Sequence, residues 1–143
     1  MTDQPNQYKF DEIKIGLEYK FTEMITESHL DSFANLSGDY NPLHMDAGYA
    51  KTTRFKKRIC HGMLLASFFS KLVGMYLPGK NALYFSQTIN FQNPCFVDDI
   101  ITVRGQVVDK SDATKIITLN TSIHNQHAMC LVDGTAKVMI RQD

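Results

Sequence analysis

One change of period constrains this chain more than any other feature. From His61 to Leu77 the sequence is apolar almost throughout. Leu64, Leu65, Phe68, Phe69, Leu72, Val73 and Tyr76 cover a wide helical stripe, while Ala66, Ser67, Ser70 and Lys71 occupy the rest. A helix that is apolar around most of its surface belongs inside a protein, and Pro78-Gly79 ends this one. Beyond Gly79 the period drops to two. Leu83, Phe85, Ile89 and Phe91 alternate with polar residues, as do Ile101, Val103 and Val107, then Ile117, Leu119 and Ile123. Cys130 and Val132, then Ala136, Val138 and Ile140, continue the pattern. Such alternation marks strands with one wet face. The segments are separated by turn-forming stretches at Asn93-Pro94, Lys110-Ser111-Asp112 and His124-Asn125-Gln126-His127. They predict an antiparallel sheet. With one long buried helix ahead of it, the simplest packing wraps the sheet around the helix, an α+β architecture.

The remaining stretches fit around that plan. Leu17, Tyr19, Phe21 and Glu23 alternate, so a further strand is predicted within residues 17–25. Thr26 offers a helix N-cap with Glu27 in the first turn. Leu30, Phe33, Ala34 and Leu36 then recur at helical spacing, up to a stop at Gly38. Residues 46–53 read as a short helix with Tyr49 and Ala50 facing inwards. Asp133-Gly134 reads as a bulge. Gln87 falls on the apolar parity of its strand, where a buried amide needs partners. Residues 1–9 are polar and expected to fray. A chain of 143 residues is expected to form a single domain, residues 1–143, with a full core.

Composition removes several classes of function. The formal net charge is zero, so nothing pulls the whole molecule towards nucleic acid or an anionic membrane. No apolar run reaches the roughly 18 residues of a membrane span, and the N-terminus shows no basic-then-apolar leader. The three cysteines, Cys60, Cys95 and Cys130, are odd in number and far apart, which reads as free thiols in a reducing compartment. A cytoplasmic protein is expected. His124 and His127 have no second ligand pair at zinc spacing, so no metal is expected. Neither a Gly-x-Gly-x-x-Gly run nor a P-loop is present, and no cofactor is expected. A Gly-x-Ser-x-Gly elbow is also missing.

The chemistry concentrates at Leu36-Ser-Gly-Asp-Tyr-Asn-Pro-Leu-His44. Gly38 and Pro42 shape a rigid segment on which Asp39 and His44 can converge, with Asn41 between them. A carboxylate beside a neutral imidazole can orient one water and accept its proton near neutral pH. Taken alone, the same residues also suit an Asx-type turn with a surface histidine. Downstream, Gly62 falls in the first turn of the long helix, where backbone N–H groups lack partners and a ligand oxygen can approach closely. Arg54-Phe-Lys56-Lys57-Arg58 is the only concentrated charge run. It reads either as a solvated loop or as an anion site for a nucleotide phosphate or an acidic carrier protein.

Residues 36–44, taken together with His61-Gly-Met-Leu-Leu-Ala-Ser67, resemble the hydratase motif of the (R)-specific enoyl-CoA hydratases, the MaoC-like group of hotdog-fold proteins. The resemblance runs from about Phe33 through Val97 and more loosely to the C-terminus. It implies a long helix wrapped by an antiparallel sheet, and reversible hydration of trans-2-enoyl thioesters to (R)-3-hydroxyacyl thioesters. It assigns Asp39 and His44 to water activation, Asn41 to bracing the loop, and the Gly62 N–H to the thioester oxygen. It implies a homodimer, acting on acyl-coenzyme A or on an acyl carrier protein. Where the family often has Pro ahead of the Ile/Val-x-His-Gly run, this chain has Arg58. An acyl chain running along the helix from Gly62 would reach Ser70 and Val73. The competing readings are a 3-hydroxyacyl-[acyl-carrier-protein] dehydratase, a hotdog thioesterase, and a non-catalytic acyl-thioester-binding protein.

Overall fold

The structure is a computed structural model and describes residues 3–143. Strand β1 (Glu18–Met24) alternates as its sequence does, with Tyr19, Phe21 and Glu23 half-buried. Helix α1 (Glu27–Ser37) starts where Thr26 Oγ1 accepts the His29 N–H at 3.2 Å. It ends at Gly38, whose φ of +81° is the left-handed conformation that glycine adopts without steric cost. Two short helices follow. In α2 (Pro42–Met45) the Asn41 side chain accepts the Leu43 N–H at 3.0 Å and Pro42 fills the first turn, where its missing N–H costs nothing. Asp46 caps α3 (Ala47–Lys51) in the same way. The motif is therefore loop only as far as Asn41, and His44 rides on a helical turn. Ala50 is buried as expected. Tyr49 is 48% exposed, because a five-residue surface helix has too narrow an inner face for both.

Helix α4 (Gly62–Lys71) and the wider π-helical turn that continues it, Leu72–Tyr76, form the buried axis. Phe69, Leu72 and Val73 are each at most 1% exposed, and burying a side chain of this size is worth about 1.5–3 kcal/mol. Around this axis the strands are β2 (Ala82–Gln87), β3 (Asn90–Phe91), β4 (Ile100–Ser111), β5 (Ile116–His124) and β6 (Cys130–Ile140). Among the described residues they join β1 in one antiparallel sheet of six strands. Its order is β1-β4-β5-β6-β2, with β3 also paired to β6. Val103, Val107, Leu119, Ile123, Val132 and Val138 point into the core as their parity predicts.

Three expectations need correction. Leu83, Phe85 and Phe91 are 50%, 62% and 55% exposed. Strict alternation fails here because a bulge between Tyr84 and Ser86 breaks the parity: Leu83 pairs with Met139 on the outer face while Tyr84 pairs with buried Val138, and Phe91, opposite buried Val132, lies on the two-residue strand β3. The last strand's bulge lies at Leu131, because Ile123 pairs with Val132 and His124 with Cys130. Gly134 answers a different need: the Thr88 carbonyl oxygen sits 1.8 Å from where a Cβ would be. From Asn6 onwards the N-terminal segment is anchored. Asn6 donates to the Met75 carbonyl at 2.8 Å and accepts from the Lys80 N–H at 2.8 Å, and Gln7 bridges Gly79. Residues 1 and 2 lie outside the described residues. Gln87 does satisfy its amide. It donates to the Thr88 carbonyl at 2.8 Å and the Thr121 hydroxyl at 3.0 Å, and accepts from the Tyr84 hydroxyl. Among the described residues no helix is long and apolar enough to cross a membrane.

Candidate active site

The C-terminal end of α1 and the first turn of α4 bring the two halves of the motif together. Asp39, His44 and Gly62 line one cavity of about 420 Å³. Buried residues close its inner side: Cys60, Leu65, Cys95, Leu131 and Val132. Arg54 and Phe55 stand on its rim, and Phe91 covers the start of α4. A Cβ on residue 62 would meet the Phe91 ring at 2.7 Å, so the sequence needs glycine there for room as well as for an open N–H.

Each polar group is held by identifiable contacts. Asp39 Oδ1 accepts the Asn41 N–H at 3.1 Å, an Asx turn that fixes the carboxylate, so Asn41 braces the loop through both its backbone and its side chain. His44 Nδ1 lies 2.8 Å from the Ile59 carbonyl. A carbonyl can only accept, so Nδ1 carries the proton and Nε2 is left as a free lone pair. His61, at the N-cap of α4, stacks on His44 with ring centroids 4.3 Å apart. Its Nε2–H donates to the Asp39 carbonyl at 3.0 Å.

The basic run divides. Arg58 points inwards: its Nε donates to the His44 carbonyl at 2.5 Å, and its terminal nitrogens lie 3.8 Å from Glu27 and 3.8 Å from Asp31. Its side chain is 15% exposed and fastens α2 to α1. Lys51, Lys56 and Lys57 line a separate groove with Arg58, Glu27, Phe96 and Val97, and among the described residues no carboxylate lies within 4.0 Å of any of the three lysines. Lys51 was missed because its helical position gave no sign that it shares a groove with the run.

The expected acyl residues also divide. Ser70 lines an open groove with Met63, Ala66, Ser67, Tyr84 and Ile89, and Met63 also borders the cavity lined by Asp39 and His44. Val73 lines neither, being 1% exposed in the buried cluster that includes Phe10, Ile13 and Val138. Sequence reasoning also passed over His61 and Phe91. The first stood beside the quoted glycine, but no periodicity reveals a contact with residue 39. The second had been assigned to the core by parity.

An antiparallel sheet wrapped on a buried helix, with an acid–imidazole segment laid against that helix's first turn, is the hotdog architecture carrying an acid–base site. The chain belongs to the MaoC like domain family, which it matches over residues 10–128. It is 39% identical over 128 residues to the (R)-specific enoyl-CoA hydratase of Aeromonas caviae, covering 90% of this chain and 96% of that one. It is 37% identical over 131 residues to the (R)-specific enoyl-CoA hydratase of Rhodospirillum rubrum, covering 92% and 90%. The unliganded R-hydratase of Pseudomonas aeruginosa superposes with a TM-score of 0.93 at 35% identity, covering 99% of this chain and 90% of that one.

Proposed function

We propose that this protein is a hydro-lyase that reversibly adds water across the double bond of trans-2-enoyl thioesters, giving (R)-3-hydroxyacyl thioesters. The observation that carries the reading is the His44 tautomer. The Ile59 carbonyl holds the proton on Nδ1, leaving Nε2 basic in a side chain that shares a cavity with the Asp39 carboxylate and the start of α4. Water bound between Nε2 and the carboxylate loses a proton as its oxygen attacks C3. Electron density moves onto the thioester oxygen, where the Gly62 N–H, one of the unpaired donors at the positive end of α4, stabilises it. The proton then passes to C2, and the acid–base pair returns to its starting state. The (R) outcome follows the named activity of the two hydratase relatives.

Three finer features belong to the same proposal. Strand β2 ends the sheet and carries exposed Leu83 and Phe85, and Phe91 on β3 is exposed as well, which supports a homodimer joined through β2 and β3. The groove from Met63 to Ser70 supports an acyl path along α4. Lys51, Lys56 and Lys57, with Arg54 at the cavity rim, suit the phosphates of coenzyme A or the acidic face of an acyl carrier protein. The free thiols accord with a reducing, cytoplasmic setting. Purified protein is tested on trans-2-enoyl-CoA substrates of increasing length and on their carrier-protein counterparts, with chiral analysis of the product. Loss of the conjugated double bond with formation of the (R) product is expected. Failure on every chain length and both carriers, or release of free thiol instead, rejects the reading.

A further inference from the structure

Among the described residues His61 is the one buried histidine, and the mechanism above gives it nothing to do. It is 2% exposed, with its ring between His44 at 4.3 Å and Phe33 at 4.9 Å. Its Nε2–H donates to the Asp39 carbonyl at 3.0 Å. Since that acceptor fixes the proton on Nε2, Nδ1 is a bare lone pair, and it has no hydrogen-bond partner among the described residues. A phenyl ring would fill the same space between Phe33 and His44 without burying an unpaired nitrogen. The net gain from one neutral hydrogen bond does not exceed the cost of leaving a buried acceptor empty. Packing stability therefore does not explain an imidazole here, and a buried unsatisfied group in a native site calls for another reason.

Position supplies that reason. His61 directly precedes Gly62, so its backbone is fixed to the start of α4. Its side chain reaches the two other parts of the site at once: the carbonyl of Asp39 through a hydrogen bond, and the ring of His44 through stacking. We infer, resting on the hydratase reading above, that His61 is the positioning residue of this site, setting the Asp39–His44 pair at a fixed offset from the Gly62 N–H. It does this as a neutral ring. Burial first, then the neighbouring His44 and Arg58, hold its pKa below the usual imidazole range, against the opposing pull of Asp39. A neutral neighbour lets His44 accept a proton during turnover without facing a second cation.

The test compares His61→Phe, which keeps the ring and loses the donor, with His61→Gln, which keeps a donor at similar reach and loses the ring. A misplacement of about 1 Å in a site costs on the order of 100-fold in rate. His61→Phe is therefore expected to lower kcat for enoyl-CoA hydration by that factor with little change in KM, and His61→Gln to recover most of the loss. The acid limb of the pH–rate profile should stay where it is in His61→Phe, because His44 remains the base. Unimpaired kcat in His61→Phe, no recovery in His61→Gln, or disappearance of the acid limb would each overturn the inference. Should the phenyl variant not fold, His61→Gln carries the test alone. A kcat within about tenfold of wild type supports positioning through the donor, and a loss of about 100-fold or more in a folded protein overturns it. A wild type inactive on every enoyl thioester defeats the hydratase reading, whereas an active wild type with an unimpaired His61→Phe defeats only the inference.

Discussion

Substituting Gly62 by Ala separates the two reasons for a glycine at the start of the central helix. The new Cβ would lie 2.7, 2.9 and 3.1 Å from three carbons of the Phe91 ring, whereas carbon atoms in contact sit about 3.5–4.0 Å apart. The ring must retreat by roughly 1 Å on that comparison. Phe91 can do so, being 55% exposed on a two-residue edge strand. The cost should therefore fall at the lower end of the roughly 1–3 kcal/mol of overpacking. At about 3 °C per kcal/mol for a chain of this length, Tm should drop by some 3–6 °C. The effect on rate is larger and independent. The methyl group crowds the N–H at which the thioester oxygen gains charge, and losing one such donor costs about 100- to 1000-fold in kcat. Hydration rates and thermal melts are measured on Gly62→Ala, Phe91→Ala and the double variant. Adding Gly62→Ala to Phe91→Ala should leave Tm nearly unchanged, since the clash is gone, yet still lower kcat by at least about 100-fold. A double variant as fast as Phe91→Ala would show that the loss came from the displaced ring, and would refute the role of the N–H.

Other outcomes follow from the same geometry. Asp39→Asn and His44→Gln should each lower kcat by at least about 100-fold, and because the pair acts as a unit the double variant should lose far less than the product. Equal, multiplicative losses in single-turnover assays would contradict a shared water. Ser70→Leu should shorten the range of accepted enoyl-CoA chains at constant Tm. Val73→Phe, in a core position without free space, should instead lower stability by about 1–3 kcal/mol, and the reverse pattern would relocate the acyl path. Neutralising Lys51, Lys56 and Lys57 together should raise KM for a coenzyme A substrate by about tenfold at low salt, with the effect fading as salt is added and kcat little changed. A salt-independent rise would count against a charge-based site. Light scattering at micromolar concentration should give a dimeric mass for the wild type and a monomeric mass for Phe85→Asp. A monomeric wild type would remove the proposed interface.

The sequence alone decided those features that depend on local spacing. The buried helix followed from an apolar surface around most of one segment, and the strands from alternation, since both periods are properties of the backbone itself. The α1 stop at Gly38, the Thr26 cap and the Asn41 brace were equally local, because each is a contact within a few residues of the chain. The spacing of Asp39, Asn41 and His44, with Gly62 at a helix start, named the candidate chemistry.

Only the tertiary structure decided what each side chain meets. Parity puts Leu83 and Phe85 on the face of Gln87, but a bulge between Tyr84 and Ser86 breaks it, and only the strand register shows Leu83 opposite Met139 on the outer face. Helical spacing puts Ser70 and Val73 beyond Gly62, yet only packing shows that Ser70 borders a groove while Val73 is sealed in the core cluster of Phe10 and Ile13. Charge made Arg58 resemble its basic neighbours until Glu27, Asp31 and the His44 carbonyl were found around it. His61 shows the division most clearly. Its place in the chain assigns it to the start of α4, but its partners are 22 and 17 residues upstream. Contacts at that separation form only when the chain closes on itself, so no local period records them.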